Sequence, residues 1–261
     1  MSTSLNFQLT GQRAVVTAGA QGIGLAITEA LLQQGAEVHI CDVDRAALDK
    51  TKAKYPQVHI SHTDVGNEAQ VLAMFSEIQA RWGQLDILVN NAGIQHVASV
   101  EDFPVERWDA IIAINLSSAF HTTRLALPGM QKKNWGRIIN VASVHGLVAS
   151  AQKSAYVAAK HGIVGLTKVT ALENAKTGIT CNAICPGWVL TPLVQKQVDA
   201  RAEREGISND AAKAALVSEK QPSGEFVSPE QLAALAIFLC GPDASEVRGV
   251  AWNMDGGWTA Q

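Results

Sequence analysis

The sequence predicts an α/β domain in which helices cover both faces of a mostly parallel, doubly wound sheet. Three observations carry this prediction. Short apolar runs recur along the chain, segments with helical periodicity separate them, and no linker-like stretch or repeat interrupts the alternation. Strands buried on both faces read as continuous apolar runs, and right-handed crossovers place the connecting helices on both sides of the sheet. We therefore expect a single domain over residues 1–261.

Seven segments have the pattern of strands. In chain order they are RAVVTAG, AEVHICD, VHISHTDV, LDILVNNAG, GRIINVAS, GITCNAICPG and GVAWNMDGG. Helical patterns directly follow the first three, with the sequences QGIGLAITEALLQQG, DRAALDKTKAKY and NEAQVLAMFSEIQARWG. A further helix carries SAYVAAK between the fifth and sixth strands. This order is that of the Rossmann fold, in which ligands bind at the carboxyl ends of the strands.

One segment departs from the alternation. Residues 191–226 follow the sixth strand, are rich in charge and helical in pattern, and contain no strand-like run. Insertions after a strand end are often mobile covers over a site. We therefore expect a helical substrate lid over 191–226, with a solvated helical excursion as the alternative.

Composition limits the classes of function. The chain has 261 residues, 47% hydrophobic content and a net charge of −3, with no long basic run, which argues against a nucleic-acid partner. No apolar stretch reaches the roughly 18–20 residues that span a bilayer. The N-terminal stretch MSTSLNFQLTGQR lacks the features of a secretory signal, so we expect a cytoplasmic protein. Without CxxC spacing, reduced thiols are favoured over a metal or disulfide site for Cys41, Cys181, Cys185 and Cys240.

The turn after the first strand, TAGAQGIG, carries a cluster of glycines. Gly19, Gly22 and Gly24 allow the backbone to approach a pyrophosphate, which then lies at a helix N-terminus. A glycine cluster alone is weak evidence, but this one follows a strand and opens a helix. The sequence therefore predicts a dinucleotide site at this turn.

Asp42 ends the second strand, about 20 residues after the glycines, where a carboxylate accepts hydrogen bonds from both ribose hydroxyls and repels a 2′-phosphate. No arginine or lysine lies in the glycine turn or directly after Cys41, and Arg45 is three residues beyond Asp42. NAD is therefore favoured over NADP. Capping of the next helix is the alternative role for Asp42, although Asp44 could equally take it.

The stretch SAYVAAK places Tyr156 and Lys160 one helical turn apart, on the same face. A phenol titrates near pH ~10 in water, and an ammonium at ~4 Å favours the phenolate by on the order of 4 kcal/mol at an effective dielectric of ~20. Tyr156 is thereby predicted to exchange protons near neutral pH. We expect Ala155, Ala158 and Ala159 to let this helix lie close to a flat cofactor. A surface ion and a packed aromatic are the alternative.

Together these motifs resemble the short-chain dehydrogenase/reductase family over essentially the whole chain. The ordered set also includes NNAG at 90–93, PGW at 186–188 and DGG at 255–257. The resemblance implies that Tyr156 is the general acid and base and that Ser143 hydrogen-bonds the reacting oxygen. It implies that Lys160 lowers the pKa of the tyrosine and holds the nicotinamide ribose, while Asn115 holds the water of a proton relay. It also implies a homotetramer.

The same resemblance implies a set of cofactor-binding positions. They are Thr17, Gly19, Gln21, Gly22, Ile23, Gly24, Asp42, Asp64, Val65, Asn91, Ala92, Gly93, Tyr156, Lys160, Pro186, Gly187, Val189 and Thr191. One position departs from the family pattern, because Ala18 stands where a glycine usually follows the first threonine of the turn. We expect this methyl to shift the pyrophosphate contacts slightly without changing the cofactor.

A set of longer stretches, among them ASVHGLVAS, NAICPGWVLTPLV and SEKQPS, resembles the bacterial (R)-3-hydroxybutyrate dehydrogenases of the family, and several members of the set lie outside the shared motifs. This implies a small anionic substrate, oxidised with NAD at Ser143 and Tyr156. The implied carboxylate contacts are Gln95, His145, Lys153 and Gln197, and the implied walls of the methyl end are Trp188 and Trp258. Lys153 opens a helix whose dipole disfavours a cation, so a bound anion would explain it.

Two alternatives stay open. A related enzyme could act on another small hydroxy acid or on a polyol. A nucleotide-binding regulator without turnover is disfavoured, because Ser143, Tyr156 and Lys160 are all present. Reduction of ketoacyl groups on a carrier protein would call for a basic docking patch and usually for NADP, which Asp42 and the net charge oppose. No metal site and no membrane partner are expected.

Overall fold

The computed structural model describes residues 9–260, and residues 1–8 and 261 lie outside it, as does most of the N-terminal stretch tested for a secretory signal. The described residues contain a seven-stranded sheet in the order β3-β2-β1-β4-β5-β6-β7. Every neighbouring pair of strands is parallel. The strands are β1 (Arg13–Thr17), β2 (Glu37–Asp42), β3 (His59–His62), β4 (Ile87–Asn90), β5 (Gly136–Val141), β6 (Ile179–Pro186) and β7 (Ala251–Met254). The predicted doubly wound fold is confirmed.

Helices connect the strands and cover both faces of the sheet. Within residues 9–260 they are α1 (Gly22–Gln33), α2 (Arg45–Lys54), α3 (Glu68–Trp82), α4 (Val105–Ile112), α5 (Ser118–Lys133), α6 (Ser154–Glu173), α7 (Pro192–Glu205), α8 (Asn209–Ser218) and α9 (Pro229–Cys240). One face packs against α1, α2 and α9, and the other against α3, α5 and α6. Both ends of the described chain reach this one sheet, through β1 and β7, so the single-domain organisation stays our interpretation.

Strand β1 shows why its apolar run is continuous. Side chains alternate between the two faces of a strand. Ala14 and Val16 belong to the core under α1 and α9, whereas Val15 belongs to the core under α3 and α5. All three are fully buried. A polar side chain on either face of β1 would therefore be removed from water, because neither face of the strand is exposed to solvent.

The chain reverses its direction across the sheet between β1 and β4. It adds β2 and β3 on one side of β1 and then returns to place β4 on the other. The backbone N–H of Asn91 donates to the hydroxyl of Thr17 (2.9 Å), and the Asn91 amide donates to the carbonyl oxygens of Thr17 (3.1 Å) and Ala18 (3.0 Å). These bonds fix the edge at which Rossmann folds bind ligands.

The helical segment after the sixth strand is confirmed as α7 and α8. A parallel bridge between Val189 and Val227 closes its base. The segment has a small apolar core of its own, formed by Val194, Val198, Ala212 and Leu216. The action of this segment as a lid stays a prediction.

Two further expectations concern residues 9–260 as a whole. The four cysteines are buried and free, as predicted, and burial raises the pKa of the Cys41, Cys181 and Cys240 thiols to about 12. In this described part of the chain, no helix combines the length and the apolar character needed to cross a membrane.

Candidate active site

Two adjoining cavities lie at the carboxyl edge of the sheet. The smaller, about 120 Å³, is lined by Ile23, Asn91, Gly93, Val141, Ala142, Ser143, Tyr156, Lys160, Pro186, Gly187, Val189, Thr191 and Val194. The larger, about 420 Å³, contains Lys153, Trp188, Gln197 and Trp258 among its lining residues, and we call it the substrate cleft. The two adjoin because Trp188 lies between Gly187 and Val189. The structure thus brings most of the predicted catalytic, cofactor and substrate positions together.

The glycine turn leaves a helix N-terminus open for an anion. A Cβ on Gly19 would lie 2.7 Å from the side chain of Ile40, and a Cβ on Gly24 would overlap the carbonyl oxygen of Ala18. Gly22 begins α1 with a φ of +53°. No side chain caps this N-terminus, and the first turn contains no acidic residue. The free N–H groups and the helix dipole therefore suit a pyrophosphate.

Ala18 occupies an unusual backbone conformation in this turn. Its φ is +49°, in the left-handed region, where an L-residue other than glycine is disfavoured by roughly 1–2 kcal/mol. The hydrogen bond from the Asn91 amide to the Ala18 carbonyl oxygen, 3.0 Å long, holds the residue there. The turn therefore keeps the conformation that a glycine would adopt, despite the added methyl group.

Asp42 does not cap α2, which was the alternative to its predicted contact with the ribose. Asp44 caps α2 by accepting a hydrogen bond from the backbone N–H of Ala47 (3.0 Å). Asp42 instead faces the glycine turn, where its carboxylate accepts from the N–H of Ala20 (3.4 Å) and of Asp44 (3.1 Å). A half-buried carboxylate beside the pyrophosphate turn can still accept from a ribose, so the predicted ribose contact stays open to test.

Several predicted cofactor positions have side chains that already bond to the protein. The Thr17 hydroxyl is buried and accepts from the N–H of Asn91 (2.9 Å) and of Ala92 (3.1 Å). The Asp64 carboxylate accepts from the N–H of Gly66 (2.9 Å), and the side chain of Val65 is buried. These side chains shape the turns at the ends of β1 and β3. Contacts between these turns and a cofactor remain a prediction.

The predicted catalytic side chains converge at the ends of β5 and α6. Ser143 lies two residues after β5, and Tyr156 and Lys160 lie on α6 beside it. The Lys160 ammonium donates to the carbonyl oxygen of Val141 (2.8 Å) and lies 5.6 Å from the centroid of the Tyr156 ring. The Ser143 hydroxyl accepts from the backbone N–H of His145 (3.2 Å). All three predicted partners therefore face the smaller cavity.

The electrostatics of this group differ from the prediction made from spacing. Burial raises the pKa of Tyr156, and the hydrogen bond with Ser143 opposes that increase. Burial also lowers the pKa of Lys160 to about 8. The predicted lowering of the tyrosine pKa by Lys160 is therefore not found in this state. Desolvation disfavours the charged form of both groups, and the ammonium is directed to a carbonyl oxygen instead of the phenol.

Asn115 lies in a π-helical turn, Ala113–Ser117, between α4 and α5. Its buried amide accepts from the N–H of Ile94 (2.9 Å) and donates to the carbonyl oxygen of Ile94 (2.9 Å). A Cβ on Gly93 would lie 3.7 Å from both the Asn115 oxygen and the Lys160 ammonium. The two predicted members of the proton relay thus border the same glycine. Their role in proton transfer stays a prediction.

The small residues of SAYVAAK have a different role from the predicted one. Ala155 and Ala159 are fully buried, and they form a cluster with Ile111 of α4. Ala158 is exposed. The small side chains therefore allow close packing of α6 against α4, and this packing orients Tyr156, which lies between them in the sequence.

The substrate cleft is joined to Tyr156 by a succession of aromatic rings. Lys153, at the start of α6, has its ammonium 4.9 Å from the ring centroid of Trp188. The ring centroids of Trp188 and Trp258 are 5.7 Å apart, those of Trp258 and His145 are 5.4 Å apart, and those of His145 and Tyr156 are 5.8 Å apart. A small substrate could thus have its charged end at Lys153 and its reacting end at Tyr156.

Burial controls the charges along this path. It lowers the pKa of Lys153 to about 8, with a further contribution from the nearby Lys220. It lowers the pKa of His145 to about 3, with a further contribution from Lys153. His145 is therefore neutral near pH 7. Its Nε2 lies 3.0 Å from the hydroxyl of Ser150.

Two buried nitrogens near the path have no hydrogen-bond partner among the described residues. They are Nε2 of Gln95 and Nε1 of Trp188. A buried donor without a partner is destabilising by about 1–3 kcal/mol, so native proteins usually supply one. Gln95 follows Gly93 and Ile94 but does not line either of the two cavities described above. Its predicted carboxylate contact therefore requires a shift of the side chain or of the ligand.

Comparison with known proteins agrees with this geometry. The family described as short chain dehydrogenase matches residues 12–202. The chain belongs to the short-chain dehydrogenase/reductase family. It is 63% identical over 259 residues to a D-beta-hydroxybutyrate dehydrogenase of Cupriavidus necator, covering 97% of this chain and 100% of the relative. It is 50% identical over 254 residues to the enzyme of that name from Rhizobium meliloti, covering 95% and 98%.

The fold agrees with solved structures as well. A variant of actinorhodin polyketide ketoreductase, crystallised with NADPH, matches with a TM-score of 0.91 at 32% identity, covering 100% of both chains. This short-chain dehydrogenase is accordingly a nucleotide-dependent oxidoreductase with the predicted Rossmann architecture. The solved relative shows that the same fold also occurs with NADPH bound.

Sequence reasoning about this dehydrogenase missed two residues beside the cleft. Gln221 is buried, its side-chain oxygen accepts from the N–H of Trp188, and its amide donates to the carbonyl oxygen of Glu225 (2.5 Å). Lys220 lines the cleft directly before it. The stretch SEKQPS contains both residues and was noted only as part of a resemblance. Nothing local in that stretch indicates that it returns to the site.

Proposed function

We propose that this dehydrogenase oxidises (R)-3-hydroxybutyrate to acetoacetate with NAD, and also catalyses the reverse reaction. The observation that carries the proposal is the ammonium of Lys153, which lies in the cleft beside the catalytic tyrosine. It forms no ion pair with any described residue. The names of the relatives at 63% and 50% identity support the same substrate.

The cleft would bind the substrate by its two ends. Lys153 would attract the carboxylate, and the amides of Gln95 and Gln197 would donate to it after α7 approaches. The rings of Trp188 and Trp258 would contact the methyl end. A hydrogen bond to a charged group contributes roughly 1.5–3 kcal/mol, so Lys153 would supply most of the selectivity for an acid over a neutral alcohol.

The chemical step would begin at the hydroxyl of the substrate. Ser143 would hold that oxygen, and Tyr156 would remove its proton as the carbon–hydrogen bond breaks. When bound, the nicotinamide dinucleotide supplies the hydride acceptor and a positive charge near the phenol. Lys160 and Asn115 would then pass the proton from Tyr156 toward solvent. In the reverse direction Tyr156 would protonate the ketone oxygen.

Asp42 supports NAD as the cofactor. Its carboxylate would accept hydrogen bonds from the ribose hydroxyls and repel a 2′-phosphate. Asp42→Ala should reduce the preference for NAD over NADP by at least about tenfold, because it removes both effects. Asp49→Ala removes a carboxylate from the exposed face of α2 and should leave the preference unchanged.

The assembly and location implied by the family belong to the same proposal. Exposed apolar side chains on α5 and α6, namely Phe120, Val169 and Leu172, support a homotetramer. Light scattering after gel filtration measures this directly, and a monomer would contradict it. Cytoplasmic location remains an expectation.

The deciding experiment is the initial rate of NADH formation. (R)-3-hydroxybutyrate is compared with its (S)-enantiomer, with other small hydroxy acids and with polyols, each with NAD and with NADP. We expect the (R)-acid with NAD to give the highest kcat/KM. A higher value for a polyol or another acid would replace the proposed substrate, and equal use of NADP would contradict the role of Asp42.

A further inference from the structure

We propose that Lys220 is a second cation of the carboxylate site and contributes to the selectivity for an acid substrate. This inference rests on the proposed function. Lys220 lies two residues after α8 and lines the same cleft of about 420 Å³ as Lys153, Gln197 and the two tryptophans. Lys220 belongs neither to the glycine turn nor to the residues assigned to the chemical step.

The backbone of Lys220 is fixed to the base of the site. Its neighbour Gln221 bonds to the N–H of Trp188, and the N–H of Gln221 donates to the carbonyl oxygen of Val217 (2.8 Å). The N–H of Ser223 donates to the carbonyl oxygen of Gly256 (3.0 Å). Gly187 makes room for this arrangement, because a Cβ there would overlap the Gln221 oxygen. Lys220 therefore projects from an anchored turn, in contrast to Gln197 on α7.

The charges around the cleft leave the two lysines without a counter-ion. Its carboxylates, Glu205 and Glu219, form ion pairs with Arg201 at 3.0 Å and 2.7 Å. Arg204 pairs with Glu205 as well, at 2.7 Å. Lys153 and Lys220 form no ion pair with any described residue. Lys220 also contributes to the lowered pKa of Lys153, as expected for two like charges that line one cleft.

Two ammonium groups that repel each other in one cleft are both stabilised when a carboxylate binds between them. Lys220 is exposed and therefore screened by solvent, whereas Lys153 is half-buried. The contribution of Lys220 should thus be the smaller. Exposed ion pairs of this kind change an equilibrium by about two- to fivefold.

The test compares Lys220→Met with Lys220→Arg and with Lys196→Met. Lys196 is an exposed lysine of α7 that does not line the cleft, so its variant removes a charge from the same segment. Substrates are (R)-3-hydroxybutyrate and its neutral methyl ester. We expect Lys220→Met to raise KM for the acid about two- to fivefold with kcat and the ester unchanged. Lys220→Arg and Lys196→Met should resemble the wild type.

A second measurement does not depend on turnover. Trp188 and Trp258 line the cleft, so their fluorescence reports the binding of acetate, a simple carboxylate. The acetate concentration at half-saturation should rise about two- to fivefold in Lys220→Met and remain unchanged in Lys196→Met. If the wild type fails to oxidise the hydroxy acid, the proposed function is wrong and this titration still tests Lys220. Equal effects on acid and ester, or an unchanged acetate titration, would overturn the inference.

Discussion

The catalytic edge of the sheet and the substrate cleft are neighbours, but different interactions hold them together. At the catalytic edge, buried side chains bond to the main chain. Lys160 donates to the carbonyl oxygen of Val141, and Asn115 pairs with both backbone groups of Ile94. In the cleft, the Lys153 ammonium lies over the ring of Trp188 and forms no hydrogen bond or ion pair with another described side chain. The side chains of the catalytic edge are therefore held in place by the protein itself, whereas the cleft contains polar groups that a substrate could still bind.

This difference predicts where substitutions act. A buried side chain that bonds to the main chain cannot change without disturbing the strand ends that position the chemistry. Removal of a charged group from a solvent-accessible cleft weakens mainly the binding of the substrate. We therefore expect changes at the catalytic edge to lower kcat and changes in the cleft to raise KM.

The largest effect should come from Tyr156→Phe, which keeps the ring and removes the transferable proton. We expect kcat to fall by at least about 10²-fold, the lower range of general acid–base contributions, with the affinity for NADH largely intact. Tyr55→Phe is the matched control, since that phenol donates to Glu29 of α1 (2.7 Å) and lines neither of the two cavities of the site. Turnover of Tyr156→Phe within a few-fold of wild type would remove Tyr156 from the mechanism.

A smaller effect should follow from Lys153→Met, which keeps much of the bulk and removes the charge. We expect kcat/KM for (R)-3-hydroxybutyrate to fall about ten- to a hundredfold, as for a lost charged hydrogen bond. Lys153→Ala should behave similarly, and a neutral analogue, 2-butanol, should be little affected. Lys168→Met changes an exposed lysine on the same helix and should have no effect. Equal losses on the acid and on 2-butanol would show that Lys153 acts through packing.

The pH dependence distinguishes Lys153, which caps the start of α6, from Lys160 within that helix. Lys153 carries its charge below a pKa of about 8 and loses it above. The ratio of kcat/KM for the acid to that for 2-butanol should therefore fall as pH rises through about 8. Lys160 also has a pKa of about 8, but it affects both substrates and cancels in the ratio. The ratio should be independent of pH in Lys153→Met, and a parallel decline in that variant would exclude Lys153 as the cause.

The smallest effect concerns the glycine turn. Ala18→Gly should raise the free energy of unfolding by up to about 1 kcal/mol, because relief of the left-handed conformation exceeds the entropy gained by the unfolded chain. Ala80→Gly, at an exposed position inside α3, should instead lower it by about 1 kcal/mol. Urea unfolding measures both. A destabilised Ala18→Gly would mean that the methyl group contributes packing.

Local signals predicted which residues meet at the carboxyl edge of the sheet. Continuous apolar runs define strands buried on both faces, and glycines must stand where a helix start closely approaches a strand end. Asp42, Tyr156 and Lys160 follow such elements at fixed spacing, so their neighbourhood could be derived before any distance was known. The π-helical turn around Asn115 could not be derived from the sequence, because its apolar pattern resembles that of an ordinary helix.

The cleft was harder to derive, since it depends on contacts between distant parts of the chain. Lys220 lies 67 positions after Lys153, and long-range bonds such as that from Trp188 to Gln221 bring it to the site. The direction in which the pKa of Tyr156 shifts could not be predicted from the sequence either. Spacing gave the nearby ammonium but could not give the burial that raises the pKa of the phenol.

The π-helical turn Ala113–Ser117 makes this stretch intolerant of changes in length. Such a turn holds one residue more than an α-helix would need, and each residue advances a helix by about 100°. Before the insertion point, Asn115 faces Ile94; beyond it, Thr122 donates to the side chain of Asn90 (2.6 Å), which in turn donates to Asn140 (2.8 Å). Deleting a single residue would restore the regular helical phase and turn one of these two faces away. The enzyme would lose either the contact of Asn115 with Ile94, which belongs to the predicted proton relay, or the polar network between β4 and β5, although neither Ser143 nor Tyr156 had been substituted.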